Sequence, residues 1–138
     1  VIVDTSALIA LVTDEPEAAR VRDAMLSASE LAIAAPNRVE AGLVLGGRGL
    51  AEPDTFLAGI LDRLHIKTID FTAAHSRVAV TAWEQYGRGR HPAKLNYGDC
   101  MAYATAKLAD EPLLYVGDDF ALTDIESALP RRAGAGEP

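Results

Sequence analysis

The chain has 138 residues, 49% of them hydrophobic, with a formal net charge of −7 and a single cysteine. That length fits one domain able to bury a core without staples, and a lone Cys100 excludes an internal disulfide and suits a reducing, cytoplasmic setting. The acidic balance argues against a sequence-reading DNA binder, which needs a basic surface, and no apolar run reaches membrane-spanning length; a nuclease whose carboxylates surround a cation stays open, as does a basic protein partner.

Four short apolar runs read as buried strands: Val1–Val3, Leu31–Ala34, Ile66–Ile69 and Leu113–Val116. Helical patterns fill the spaces between them. Asp14-Glu15-Pro16 reads as a helix start, with proline in the first turn and acids near the positive end of the dipole. Pro53-Asp54 does the same for a segment running to Leu64. Phe71-Thr72 leads into a long helix in which Ala74, Val78, Ala82 and Tyr86 recur at i+4 spacing. Gly87 to Lys94 (GRGRHPAK) reads as a basic loop, and Met101, Ala104, Thr105 and Leu108 give an i, i+3, i+4, i+7 stripe. Strands alternating with helices imply crossover connections and a mostly parallel sheet covered on both faces, with extra helices between the second and third strands.

The acids fall at the ends of these elements. Asp4 follows the first strand and precedes Thr5-Ser6-Ala7-Leu8, where ligands bind in open α/β sheets; a simple helix cap explains it equally well. Glu40 lies in the helix entry Asn37-Arg38-Val39-Glu40. If Val39 and Leu43 face the core, it sits one residue round the helix, beside Asn37 at i−3. Asp99 stands at the start of the helix bearing the Met101/Leu108 stripe, next to Gly98, which permits close backbone approach. Asp118 and Asp119 follow the fourth strand as adjacent carboxylates that repel unless a cation or solvent relieves them. Each acid alone has a structural explanation. Together they suit magnesium or manganese, since no histidine or cysteine cluster accompanies them.

Four stretches, in this order, resemble the PIN-domain ribonuclease family: VIVDTSAL, NRVEAGLV, LNYGDCMAYATAK and LLYVGDDFALTDI. The last two resemble VapC-like toxins of type II toxin–antitoxin systems. The resemblance implies a three-layer sandwich with a central sheet of four to five strands over 1–130, followed by a flexible tail over 131–138. It implies Asp4, Glu40, Asp99 and Asp119 as catalytic acids, with Asp4, Asp99 and Asp119 holding Mg²⁺, Mn²⁺ being a possible substitute. Ser6, Asn96, Asp118, Thr123 and Asp124 match supporting positions, with Asp118 ranked below Asp119. The implied activity is RNA phosphodiester hydrolysis by a homodimeric cytoplasmic enzyme, inhibited by a cognate VapB-like antitoxin.

Arg88, Arg90 and Lys94 are candidates to steer the RNA backbone, against the plain alternative of a solvated loop. His65, His75 and His91 are scattered without metal-ligand spacing. Trp83 and Tyr86 are expected in the core or at a dimer contact rather than as stacking platforms, and Cys100 as an inert buried thiol. A phosphatase with an aspartyl nucleophile would want a second acid where Ser6 stands, and a phospho-receiver domain lacks its late lysine beyond Lys107. The rival of another class is a non-catalytic PIN scaffold binding RNA or protein.

Overall fold

The computed structural model describes residues 1–129; the tail expected over 131–138 lies outside them. The elements run β1 (Ile2–Val3), α1 (Thr5–Val12), α2 (Ala18–Ser27), β2 (Leu31–Ala34), α3 (Ala35–Gly47), α4 (Pro53–Arg63), β3 (Ile66–Ile69), α5 (Ala73–Tyr86), α6 (Tyr97–Ala109) and β4 (Leu113–Leu114). All four strands pair in parallel, in the order β3-β2-β1-β4. Numbering reverses direction between β1 and β4, so the crevice of the sheet opens at their carboxyl ends. Beyond β4 the chain folds back along its free edge: Leu113 N donates to Glu126 O (2.8 Å) and Ala128 N donates to Leu113 O (2.9 Å).

Alternation along each strand divides the core into two layers. Val3, Ile33, Ile66 and Leu114 point to the face covered by α1, α2, α3 and α4, where they meet Leu8, Val21, Leu45 and Leu57. Ile2 and Leu113 point to the opposite face, against α5 and α6 with Ala82, Met101, Ala104 and Phe120. The expected sandwich and its two extra helices between β2 and β3 are therefore present.

Several local expectations shift. Pro16 lies in a turn ahead of α2, which starts at Ala18 behind Glu17; Asp14, at φ 53°, takes a left-handed turn that breaks the helix entry. On α3 the buried stripe is Asn37, Ala41 and Leu45, whereas Val39 and Leu43 are 58% and 72% exposed. On α6 every residue from Gly98 to Ala106 is buried, because the helix is enclosed by sheet, α5 and the Phe120 turn, and Leu108 projects outward. β4 is two residues long, shorter than its apolar run.

Candidate active site

Asp4 leaves β1 in extended conformation and becomes the N-cap of α1. Its Oδ2 accepts hydrogen bonds from Ser6 N (3.0 Å) and Ser6 Oγ (2.5 Å). Ser6 Oγ in turn accepts from Val116 N (3.0 Å), which ties the start of α1 to the end of β4. Asp99 belongs to a reciprocal capping box: Asp99 N donates to Asn96 Oδ1 (2.9 Å), and Asn96 N donates to Asp99 Oδ2 (3.1 Å). In both acids the capping bonds engage Oδ2.

Glu40 reaches the same place from the first turns of α3. Asn37, fully buried one turn earlier, donates through Nδ2 to Gly98 O (3.1 Å), Glu40 Oε1 (3.4 Å) and Thr5 Oγ1 (3.4 Å). Thr5 Oγ1 donates to Asn37 O (3.2 Å), so one amide joins α1, α3 and α6. Gly98 stands against the end of the Glu40 side chain at that junction. A Cβ on it would overlap the Glu40 carboxylate, so glycine leaves the room in which that carboxylate lies.

Asp4, Glu40 and Asp99 line one cleft of about 330 Å³, with Ser6 and Arg48 at its margins. Glu15 lines the same cleft and is the acid nearest Arg48, at 4.0 Å. Asp4 and Asp99 are 4% and 8% exposed. Burial pushes the Asp4 carboxyl up to about 6, against the pull of the Ser6 hydrogen bonds and with Glu40 adding to the rise. Burial also pushes Asp99 up to about 7, where the Asn96 N–H opposes it and the charges of Asp4, Asp119 and Glu40 reinforce it. Among the described residues none of these acids has an ion-pair partner.

A divalent cation fits these donors. The carboxylates are hard oxygen ligands in excess of any neighbouring positive charge, and Asn37 Oδ1 is buried without a hydrogen-bond partner. No three Asp, Glu, His or Cys side chains among the described residues are yet gathered into one ligand cage.

Asp118 and Asp119 are exposed and line an adjoining cleft of about 430 Å³ with Arg88, Lys94 and Asn96. Asp119 acts on Asp99 through space. Thr123 is a turn residue: its Oγ1 donates to Phe120 O (2.8 Å) and accepts from Ile125 N (3.3 Å). Asp124 is held elsewhere, two turns along α6 from Asp99. It accepts from Tyr103 Oη (2.5 Å) and Lys107 Nζ (2.6 Å), so it fastens the segment after β4 to α6 instead of joining the acids.

The basic loop is built rather than slack. Arg88 N donates to Leu95 O and Leu95 N to Tyr86 O, closing its base. Inside it His91 Nδ1 accepts from Ala93 N (3.0 Å), and its ring stands edge-on to Tyr86 at 5.1 Å. Arg90 lies 4.4 Å above the Trp83 ring. Tyr86 packs against Tyr103 in the core, whereas Trp83 is 42% exposed. His75 caps α5 with Thr72. Cys100 is a buried thiol pushed up to about 11 by burial, which leaves it protonated and unreactive near neutrality. Thr5 and the junction role of Asn37 escaped the motif reading; the spacing of Asn37 one turn before Glu40 was the available signal.

The sequence model of the PIN domain matches residues 1–126. The chain belongs to the PIN-domain family. Ribonuclease VapC36 of Mycobacterium tuberculosis is 43% identical over 126 residues, covering 91% of each chain. Ribonuclease VapC28 of the same organism is 41% identical, covering 95% of this chain and 99% of its own. This PIN domain also superimposes on the crystal structure of VapC20 of M. tuberculosis, a Sarcin-Ricin loop cleaving toxin, with TM-score 0.72 at 18% identity over 94% of this chain and 98% of that one. A toxin–antitoxin complex from Klebsiella pneumoniae matches with TM-score 0.68 at 19% identity, over 89% of this chain and 92% of that one. At those identities the two structures speak for the fold alone.

Proposed function

We propose that this PIN domain is a cation-dependent endoribonuclease toxin of the VapC type, acting on RNA in the cytoplasm as a homodimer and restrained by a cognate VapB-like antitoxin. One observation carries the reading: two nearly buried aspartates on different helix starts, pushed up to about 6 and 7, line one cleft with a third carboxylate, and none of the three is ion-paired among the described residues. Stability alone does not favour such an arrangement. The names of the mycobacterial relatives support the same activity. Among the described residues no helix is long and apolar enough to cross a membrane.

Asp4 and Asp99 would hold Mg²⁺ or Mn²⁺, and Asp119 would complete the oxygen shell. Bound there, a divalent cation supplies Lewis-acid stabilisation of phosphate charge and a more acidic water. The chain's own residues do the rest. Ser6 and Asn96 fix the two aspartates through their caps. Asn37 and Gly98 fix Glu40, whose carboxylate accepts a proton from the attacking water. Arg88 and Lys94, beside Asp119, draw the RNA backbone towards the acids.

The test is incubation of purified, antitoxin-free protein with total bacterial RNA in Mg²⁺, in Mn²⁺ and in EDTA, alongside Asp99→Asn. Cleavage that needs the cation and vanishes in the variant is expected. Folded protein that cleaves nothing under any of these conditions would overturn the reading in favour of a binding scaffold.

A further inference from the structure

We propose that Arg48 holds a second phosphate of the RNA, on the far side of the acids from Arg88 and Lys94; this rests on the ribonuclease reading above. The strand then crosses the acids between two cationic ends. Arg48 is the C-cap of α3, where a cation is favoured by the helix dipole in any case. The dipole does not explain which way it faces. Glu40, Val44 and Arg48 follow at i, i+4 and i+8, in one row along the helix, and all three line the cleft of the acids. At about 1.5 Å per residue Arg48 lies roughly 12 Å along α3 from Glu40. That is about three to four nucleotides of stacked strand, at roughly 3.4 Å apiece.

The order of groups along the surface follows from the fold. The first turn of α3 meets α6, where Asn37 Nδ2 donates to Gly98 O at 3.1 Å. Just before Gly98 stands Asn96, whose N–H is bonded to Asp99 and which lines the second cleft with Arg88, Lys94 and Asp119. From that junction α3 runs past Glu40 and ends at Arg48. The acids therefore lie between the cations.

The charge of the cleft calls for such an arrangement. Asp4, Glu15, Glu40 and Asp99 all line it, and Arg48 is the one cation among its lining residues. A single divalent ion leaves part of that negative charge to repel a polyanion, and flanking cations draw the strand across it. Arg48 is 54% exposed, and Glu15 stands 4.0 Å away, the outer limit of an ion pair. A pair so long and open contributes little, so Arg48 can exchange that carboxylate for a phosphate, which its planar guanidinium grips through two N–H groups at once.

The experiment is binding of a fluorescein-labelled oligouridylate, long enough to span both cationic ends, to the full chain in the Asp99→Asn background. Anisotropy is read across a salt series. Arg48→Ala should weaken binding about tenfold and lower the slope of log K against log salt by about 0.7, the share of one phosphate contact on a single strand. Arg48→Lys should restore the slope. Lys67→Ala, on the far edge of the sheet, should leave it unchanged. Glu15→Gln should tighten binding; if Arg48 served only to pair with Glu15, the two substitutions would act in the same direction. With Asp99 intact, Arg48→Ala should raise the concentration of total bacterial RNA needed for half-maximal cleavage and leave the rate at saturation unchanged.

A salt slope that Arg48→Ala leaves at the parent's value would overturn the assignment. So would an equal fall with Lys67→Ala, which would reduce the effect to net charge. If RNA is cleaved in Mg²⁺ while the slope stays put, the Arg48 inference fails and the ribonuclease reading stands. If the slope falls but no RNA is cleaved, the strand lies along Arg48 on a binding scaffold and the ribonuclease reading fails. An unchanged slope with no cleavage sinks both.

Discussion

Asp99→Asn in cation-free buffer puts the electrostatics of the site to a direct test. Burial and three neighbouring carboxylates raise Asp99 from 3.8 to about 7. In the unfolded chain that acid releases its proton near its ordinary value. Between about pH 4 and pH 7 the folded chain thus holds a proton the unfolded chain has lost, and stability falls as pH rises. Above about 7 the full cost of ionisation is present. A rise of that size corresponds to about 4 kcal/mol, of which about half survives in a cleft open to water of high dielectric. The asparagine side chain keeps an oxygen for the Asn96 N–H, so the cap is retained. The variant in EDTA at pH 8 should therefore be more stable than the parent by about 2 kcal/mol, a rise in Tm of roughly 6 °C at this length. At pH 5, where the parent's Asp99 is protonated, that margin should shrink towards zero. Mg²⁺ at about a hundred times its Kd should stabilise the parent by about 2.7 kcal/mol and the variant far less. Calorimetric scans at the two pH values, with and without Mg²⁺, read all of this. A variant less stable than the parent at both pH values would refute the reasoning.

Gly98→Ala should displace Glu40, because the new Cβ meets its carboxylate; a loss of about a hundredfold in kcat/KM for RNA is expected from such a misplacement, with circular dichroism confirming the fold. Asn37→Ala removes the amide that joins three helices and should cost about 2–3 kcal/mol in urea unfolding, together with cleavage. Lys107→Ala breaks the 2.6 Å contact to half-exposed Asp124; it should cost less than about 1 kcal/mol and leave RNA cleavage unchanged, since that pair stands apart from the acids. At subsaturating Mg²⁺, cleavage by the parent should fall as pH drops below about 7 and further below about 6, because protons on Asp99 and then Asp4 compete with the cation, and the Mg²⁺ needed for half-maximal cleavage should rise accordingly. A pH–rate profile flat across that range would contradict it.

The framework was legible because it follows from one-dimensional patterns, and the three acids that line one cleft were singled out by the resemblance of their motifs. Short apolar runs alternating with helical stripes imply a covered parallel sheet, and acids placed just after strands converge where such a sheet opens. What escaped the sequence depended on which side of a helix meets which neighbour. Periodicity alone allowed Val39 and Leu43 to face inward; the structure buries Asn37, Ala41 and Leu45 instead, with Asn37 bonded to Gly98 O and the other two in the core. Met101 to Leu108 read as one stripe, but a helix enclosed on every side has no stripe to show. Asp124 matched a motif position beside Thr123, yet its carboxylate is held by Tyr103 and Lys107 on the flank of α6, a pairing between elements that spacing cannot convey.

The fold-back of Glu126–Ala128 along β4 has a consequence for how any protein can cover the acids. A sheet invites partners by the unpaired amides of its outermost strands. Here the border nearest the acids is already occupied by the chain itself, and the other border is β3, on the far side of β2 and β1, where Lys67 is exposed. Among the described residues the four-stranded sheet leaves β3 as its uncovered outer strand, well away from Asp4 and Asp99. A segment added at β3 would therefore lie across two strands from the acids and would leave their cleft open.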